Sequence, residues 1–204
     1  MNTEEYLRDI SEIKDMMNKS SRFFSLSGLS GILAGVYALI GAVVAYYLVS
    51  ISGREYLILD GKIFNYILLD LAAVAILSIG TAIILSTRKA RTNQETLWTS
   101  ATRRLLTAFL IPLVTGGIYI LIKISSHHYG LTGSLMLIFY GLALVNASKY
   151  TIGNVKYLGY IEIILGLICA IYPGYGFWFW ILGFGIMHII YGSLIYFNED
   201  SNSH

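Results

Sequence analysis

The chain has 204 residues, of which 56% are hydrophobic and 13% are charged, and its formal net charge is +2. Soluble domains carry about 25% charged residues, so this composition excludes a soluble globular protein and indicates an integral membrane protein. The cations do not cluster on a soluble domain, which argues against nucleic-acid binding, and the single cysteine, Cys169, excludes an intrachain disulfide.

The segment 1–22 precedes the first apolar run and predicts a short amphipathic cytoplasmic helix. Tyr6, Ile10, Ile13 and Met17 recur there at helical spacing, with acidic and basic residues on the other faces. Its acidic residues disfavour adsorption to anionic lipid. We therefore expect it to dock on the protein's own cytoplasmic surface or on a soluble cytoplasmic partner.

Six apolar segments follow and predict an all-α fold, an integral membrane bundle of six transmembrane helices. The first is uncharged and longer than the ~20 residues that cross a bilayer core. It is also too long for the apolar region of a signal peptide. The predicted spans cover about 24–51, 63–86, 105–124, 131–150, 157–172 and 177–197. They form a membrane domain over 23–197, and 198–204 is a cytoplasmic tail.

Most of the 14 Lys and Arg residues fall in the N-terminal tail, between spans two and three, and between spans four and five. The positive-inside rule then places both termini in the cytoplasm, with Arg54, Lys62 and Lys123 outside. The most basic stretch is 87–104.

Small residues on the first span predict close helix packing. Gly31 and Gly35 form a GxxxG pair, and Ala38 lies on a neighbouring stripe of small side chains. Helices in lipid associate through close backbone approach over such residues, although glycine and alanine are also simply common in membrane helices. This face could serve packing within one chain or in a homo-oligomer. In the third span, Pro112 predicts a kink.

Three ionisable residues fall inside predicted spans, where they are costly enough to be candidates for a functional site. Glu162 and His188 have comparable predicted depths on sequential spans, each on a face of small residues, and Asn146 is close in depth. We expect Glu162 and His188 to be hydrogen-bonded in a polar patch that opens to the cytoplasm. Such a patch could hold a proton, orient a polar ligand, or only lock two helices. Asp70 lies separately, in the outer third of the second span and about 10 Å below the outer surface.

Several kinds of site can be set aside. The chain has no HExxH zinc helix, phosphate-binding P-loop, GxSxG elbow or CxxCH haem motif. One Glu and one His are too few ligands for a zinc or iron site. We therefore expect neither a metal nor a cofactor.

A short internal sequence similarity relates the first and fourth spans. GLSGIL at 28–33 is matched by GLTGSL at 130–135, three spans later. That order is the one an inverted three-plus-three repeat requires, but no register extends to the other spans.

The opening stretch EIKDMMNKSSRFFSLSGLSGILAGVYALIGA resembles the start of a family of uncharacterised multi-pass inner-membrane proteins from bacteria. The resemblance covers about forty residues, carried by the SSRF and SLSGLSG motifs. It implies a bacterial cytoplasmic (inner) membrane protein of unknown activity, in a family sometimes associated with a soluble regulator. It defines no functional residues.

These observations predict a non-enzymatic protein of the lipid bilayer that binds a partner or a small ligand. The basis is the pair of charged cytoplasmic elements, 3–19 and 87–104, which could dock on each other or on a soluble partner. A small proton-coupled transporter or channel is the alternative, with the intramembrane polar groups as its path. An intramembrane enzyme is third, since Glu and His can do acid/base work but no nucleophile or metal accompanies them.

Overall fold

The computed structural model describes residues 24–25, 28–51, 62–92, 98–152 and 155–201. The predicted amphipathic helix within 1–22 lies outside these described residues. Across them the chain is almost entirely helical, which confirms the all-α class.

The described residues form six helical stretches. The first five are α1 (Gly28–Ile51), α2 (Lys62–Thr92), α3 (Ser100–Ser125), α4 (Thr132–Ala147) and α5 (Val155–Ile171). The sixth, which we call the C-terminal helix, consists of α6 (Gly176–Trp180), a π-helical segment (Ile181–Met187) and α7 (His188–Ser201). Short 3₁₀ turns lie at Ser148–Tyr150 and Pro173–Tyr175.

Four of these helices are long and apolar enough to cross a membrane: α1, α2, α3 and the C-terminal helix. Their large apolar side chains are widely exposed, as expected for surfaces that face lipid. In contrast, α4 and α5 have 16 and 17 residues, fewer than the ~20 that a straight span requires. The structure thus supports membrane insertion. By length and composition, four of the described helices could each cross a membrane.

The described parts of the basic stretch 87–104 are mostly helical. The second helix passes the predicted end of its span and continues to Thr92, with Lys89 and Arg91 in its last turn. Cations there interact favourably with the unsatisfied carbonyl groups at a helix C-terminus. The next helix, α3, begins at Ser100, and Arg103 and Arg104 lie in its first two turns.

The helices pack as two rows of three. In one row α1 lies between α2 and the C-terminal helix, and in the other α4 lies between α3 and α5. The C-terminal helix also contacts α4 and α5 and so joins the rows. The two rows correspond when α1 is matched with α4, α2 with α5, and α3 with the C-terminal helix. A three-plus-three repeat produces this arrangement.

A two-residue parallel strand pair also links the two halves of the chain. Phe24–Ser25, just before α1, pairs with Thr151–Ile152, between α4 and α5. The backbone entering the first half is therefore hydrogen-bonded to a connection in the second.

Glycines bring the backbones of neighbouring helices into contact within each row. A Cβ on Gly35 would lie 2.6 Å from the carbonyl oxygen of Gly185, and one on Gly31 would lie 3.1 Å from the Cα of Gly192. Both contacts join α1 to the C-terminal helix. In the other row, Ser134 Oγ of α4 donates a 2.7 Å hydrogen bond to the carbonyl of Gly166 in α5.

We expect Gly192→Ala to destabilise the protein by roughly 1–3 kcal/mol, the usual cost of overpacking. A Cβ there would lie 2.7 Å from the carbonyl oxygen of Gly28 and 2.5 Å from the amide nitrogen of Ile32, and both are backbone atoms. The measurement is the free energy of unfolding in detergent micelles. The matched control is Gly80→Ala, which meets no atom within 4 Å and should be neutral or stabilising, since alanine is the better helix former. Equal effects of the two substitutions would contradict this account.

Candidate functional site

A buried polar cluster lies where the two rows of helices meet. Glu162 projects from α5 and is 0% exposed. Opposite it on the C-terminal helix is Gly183, where an added Cβ would overlap the Glu162 carboxyl group and approach Leu137 of α4 to 2.5 Å. The missing side chain of Gly183 therefore provides the space that the carboxyl group occupies.

His188 is held on both sides of its ring. Nδ1 lies 3.0 Å from the carbonyl oxygen of Gly183, and Nε2 lies 2.8 Å from the hydroxyl group of Tyr140 in α4. A carbonyl oxygen can only accept, so Nδ1 carries the proton and donates it. In the neutral ring Nε2 is then the acceptor, and the Tyr140 hydroxyl donates to it. The imidazole thus links α4 to the C-terminal helix in a defined orientation.

The structure brings Glu162 and His188 together, with Nδ1 3.5 Å from Oε1. The hydrogen bond of Nδ1 goes to Gly183 instead of to the carboxyl group. Among the described residues neither carboxyl oxygen of Glu162 has a hydrogen-bond partner. A buried charge without a partner is strongly disfavoured, so this carboxyl group requires a proton or a donor from a bound molecule.

Further polar groups in this region are also unsatisfied. The indole Nε1 of Trp180 and the hydroxyl group of Tyr191 are buried without a hydrogen-bond partner in the described part of the chain. Both residues lie on the C-terminal helix, on either side of the π-helical segment. The region where the rows meet therefore has free donors as well as free acceptors, and native interiors leave few such groups unpaired.

The local helix geometry is also unusual. The π-helical segment Ile181–Met187 ends immediately before His188, and π-helical turns within α-helices occur frequently at functional sites. Its Phe184 packs 5.1 Å from the Tyr140 ring and 5.9 Å from the His188 ring, measured between centroids. The imidazole is thereby stacked among aromatic rings as well as hydrogen-bonded.

Sequence reasoning missed two members of this cluster, Tyr140 and Gly183. Tyr140 lies in the middle of α4, and a hydroxyl group in the middle of a predicted span was the available signal. Gly183 is the first residue of the GFG motif at 183–185, and glycine is common in membrane helices. That Gly183 lies opposite the carboxyl group of Glu162 depends on how α5 packs against the C-terminal helix.

Asn146 lies elsewhere, and its role follows from Pro112. Its Nδ2 donates a 2.8 Å hydrogen bond to the carbonyl oxygen of Ala108 in α3. That carbonyl would normally accept from the N–H four residues later, but residue 112 is a proline inside the helix and has no N–H. Asn146 therefore satisfies the acceptor that Pro112 leaves free, as neighbouring helices do in membrane proteins.

Asp70 is also separate, at the contact between α1 and α2. A Cβ on Gly41 would lie 3.3 Å from Asp70 Oδ2, so the carboxyl group packs against the α1 backbone. Of the predicted packing residues on that helix, Gly31 and Gly35 face the C-terminal helix, and Ala38 is 2% exposed. The polar candidates thus fall at three different helix contacts.

No group of three or more His, Cys, Asp or Glu side chains suited to a metal ion occurs in the part of the chain that the structure describes. The cluster around Glu162 is better suited to a proton or to a small molecule with hydrogen-bond donors. Its chemical elements are a carboxyl group, an oriented imidazole and a phenol.

Comparison with known proteins finds no matching family model, no matching curated protein and no matching solved structure. The site therefore has to be interpreted from its own geometry.

We expect Asn146→Leu to lower the free energy of unfolding by about 1–2 kcal/mol, because it leaves the Ala108 carbonyl without a donor. In a Pro112→Ala background the new N–H of residue 112 can satisfy that carbonyl, so Asn146→Leu should cost less than half as much. A double-mutant cycle measured in micelles gives the coupling. Equal costs in the two backgrounds would show that Asn146 acts for another reason.

Proposed function

We propose that this chain is a non-enzymatic bacterial inner-membrane protein that binds a small ligand at the cluster of Tyr140, Glu162 and His188. The observation that carries the proposal is the fully buried Glu162 carboxyl group with no hydrogen-bond donor among the described residues. A purely structural lock between helices would be expected to have its polar atoms paired. An acceptor without a partner instead fits a site whose donor arrives from outside the chain.

The membrane arrangement that we propose has six spans with both termini in the cytoplasm. Four helices are long and apolar enough to cross a membrane, and α4 and α5 would form shorter spans packed against them. The C-terminal end of α2 and the N-terminal end of α3 carry Arg88, Arg91, Arg103 and Arg104. The positive-inside rule favours the cytoplasm for these adjacent ends.

The unpaired carboxyl group of Glu162 favours a ligand with hydrogen-bond donors and a positive charge. A protonated amine would give the Glu162 carboxyl group both a counter-charge and donors, and charge-assisted hydrogen bonds are the stronger kind. The hydroxyl group of Tyr191, which has no partner among the described residues, offers a further contact. We accordingly propose small amines as the ligand class.

A soluble cytoplasmic protein remains the proposed macromolecular partner. The support is the charged segment 3–19, together with the resemblance of the opening stretch to a family sometimes associated with a soluble regulator. A soluble protein should therefore co-purify with the full chain and be lost when residues 1–19 are removed.

A small proton-coupled transporter is the second candidate. The observation that favours it is the 3.5 Å approach of His188 Nδ1 to Glu162 Oε1 beside a π-helical segment. Two titratable groups can exchange a proton once they are within about 2.6–3.2 Å or are bridged by one water, and these two are close to that range. π-helical turns are also found at sites of function. Asp70 and Asn146 lie at other helix contacts, which argues against a continuous path for protons through the bundle.

We expect a saturating small amine to raise the thermal midpoint of the purified protein by on the order of 5–10 °C, the shift produced by a ligand near 100 times its Kd. Glu162→Gln removes the charge with little change in volume and should abolish the shift. Asp70→Asn is the matched control, because it makes the same chemical change at the α1–α2 contact, and should preserve the shift. An undiminished shift in Glu162→Gln would place the ligand elsewhere and refute this site.

The transporter candidate makes a different prediction. In proteoliposomes, uptake of a labelled amine should depend on an imposed proton gradient, and Glu162→Gln should abolish that dependence. Binding without gradient-driven uptake would favour the binding protein over the transporter.

A further inference from the structure

A second polar site, apart from the cluster around Glu162, lies between α3 and α4. An open pocket of about 570 Å³ separates the N-terminal part of α3 from the end of α4. Its size falls within the ~300–1,000 Å³ range of small-molecule sites. The lining residues that matter here are Arg103, Arg104, Thr107, Ile111, Asn146 and Tyr150.

The charge of this pocket is positive. Arg103 and Arg104 both line it, and no acidic side chain among the described residues does, since Asp70 and Glu162 lie at other helix contacts. Within the described part of the chain no carboxyl group is paired with either guanidinium group. Guanidinium groups match phosphate in geometry and bind it with two parallel hydrogen bonds.

The pocket changes from polar to apolar along α3. Arg103 and Arg104 lie in the first turns of the helix, and Tyr150 also lines the pocket. Ile111 lies two turns further along, about 10 Å deeper at 1.5 Å per residue, and is 60% exposed. A ligand that fills the pocket would therefore contact cations at one end and hydrocarbon at the other.

The position next to the helix end suits a membrane interface. Trp98 lies just before α3 and is 71% exposed, and tryptophan is enriched at the level of lipid headgroups. Basic pockets between transmembrane helices at this level bind the headgroups of anionic lipids. A soluble phosphate ion would make no use of the apolar end of the pocket.

We infer that this pocket binds an anionic phospholipid, with its phosphate group between Arg103 and Arg104 and the start of an acyl chain along Ile111. Asn146 is held against α3 by its bond to Ala108 and forms part of the fixed wall. The site is independent of the amine site proposed at Glu162. Loss of either would leave the other intact.

The test compares two pairs of arginines at the same predicted membrane surface. The test variant is Arg103→Gln with Arg104→Gln. The control variant is Arg88→Gln with Arg91→Gln, which removes the same charge from exposed positions on α2 outside the pocket. Binding of phosphatidylglycerol to the full chain is measured by native mass spectrometry of detergent-purified protein, with phosphatidylcholine as the zwitterionic comparison.

We expect the test variant to bind phosphatidylglycerol roughly 10- to 30-fold more weakly than the unmodified protein, and the control variant to bind within about two-fold of it. Phosphatidylcholine should bind weakly to all three. A conservative variant, Arg103→Lys with Arg104→Lys, should be intermediate because it keeps the charge and loses the paired hydrogen bonds. An unchanged thermal midpoint establishes that each variant is folded.

Three results would overturn the proposal. Equal losses in the test and control variants would mean that lipid responds to surface charge alone. Equal binding of phosphatidylcholine would mean that the anionic headgroup is not recognised. Displacement of phosphatidylglycerol by millimolar inorganic phosphate would mean that the pocket binds a soluble anion.

Discussion

Contact between helix backbones over small residues is the interaction on which this structure depends. Lipid tails are as apolar as leucine, so burying apolar side chains between helices gains little in a bilayer, and close packing must supply the association. Gly35 against Gly185 does this in one row of helices, and Gly141 against Gly159 does it in the other. Because glycine has no side chain at these contacts, the helices approach closely enough to enclose polar groups between them.

Such close packing makes unpaired polar atoms informative. Where a polar group has a structural task, its partner is visible: Ser134 bonds the carbonyl of Gly166, and Asn146 bonds the carbonyl that Pro112 leaves free. Glu162 is as deeply buried as Ser134 but has no such partner among the described residues. The contrast within one bundle is the reason to regard Glu162 as part of a binding site.

The two proposed sites recognise opposite charges at different depths. The cluster at Glu162 lies inside the bundle, where the rows meet, and attracts a donor or a cation. The pocket at Arg103 and Arg104 lies at a helix end and attracts an anion. Both touch α4, through Tyr140 in the first case and Asn146 in the second, so this short helix is the element that the two sites share.

The sequence by itself determined the class of the protein and where its polar candidates are. Uncharged segments predict membrane helices, and the rarity of a Glu or His inside them is visible in composition alone. Only the tertiary structure decided the pairings, namely that Gly183 lies opposite Glu162, that Tyr140 bonds His188, and that Asn146 serves α3. Helical periodicity specifies which face of one helix is small or polar. Which helix covers that face depends on how all six pack together, and no local pattern contains that information.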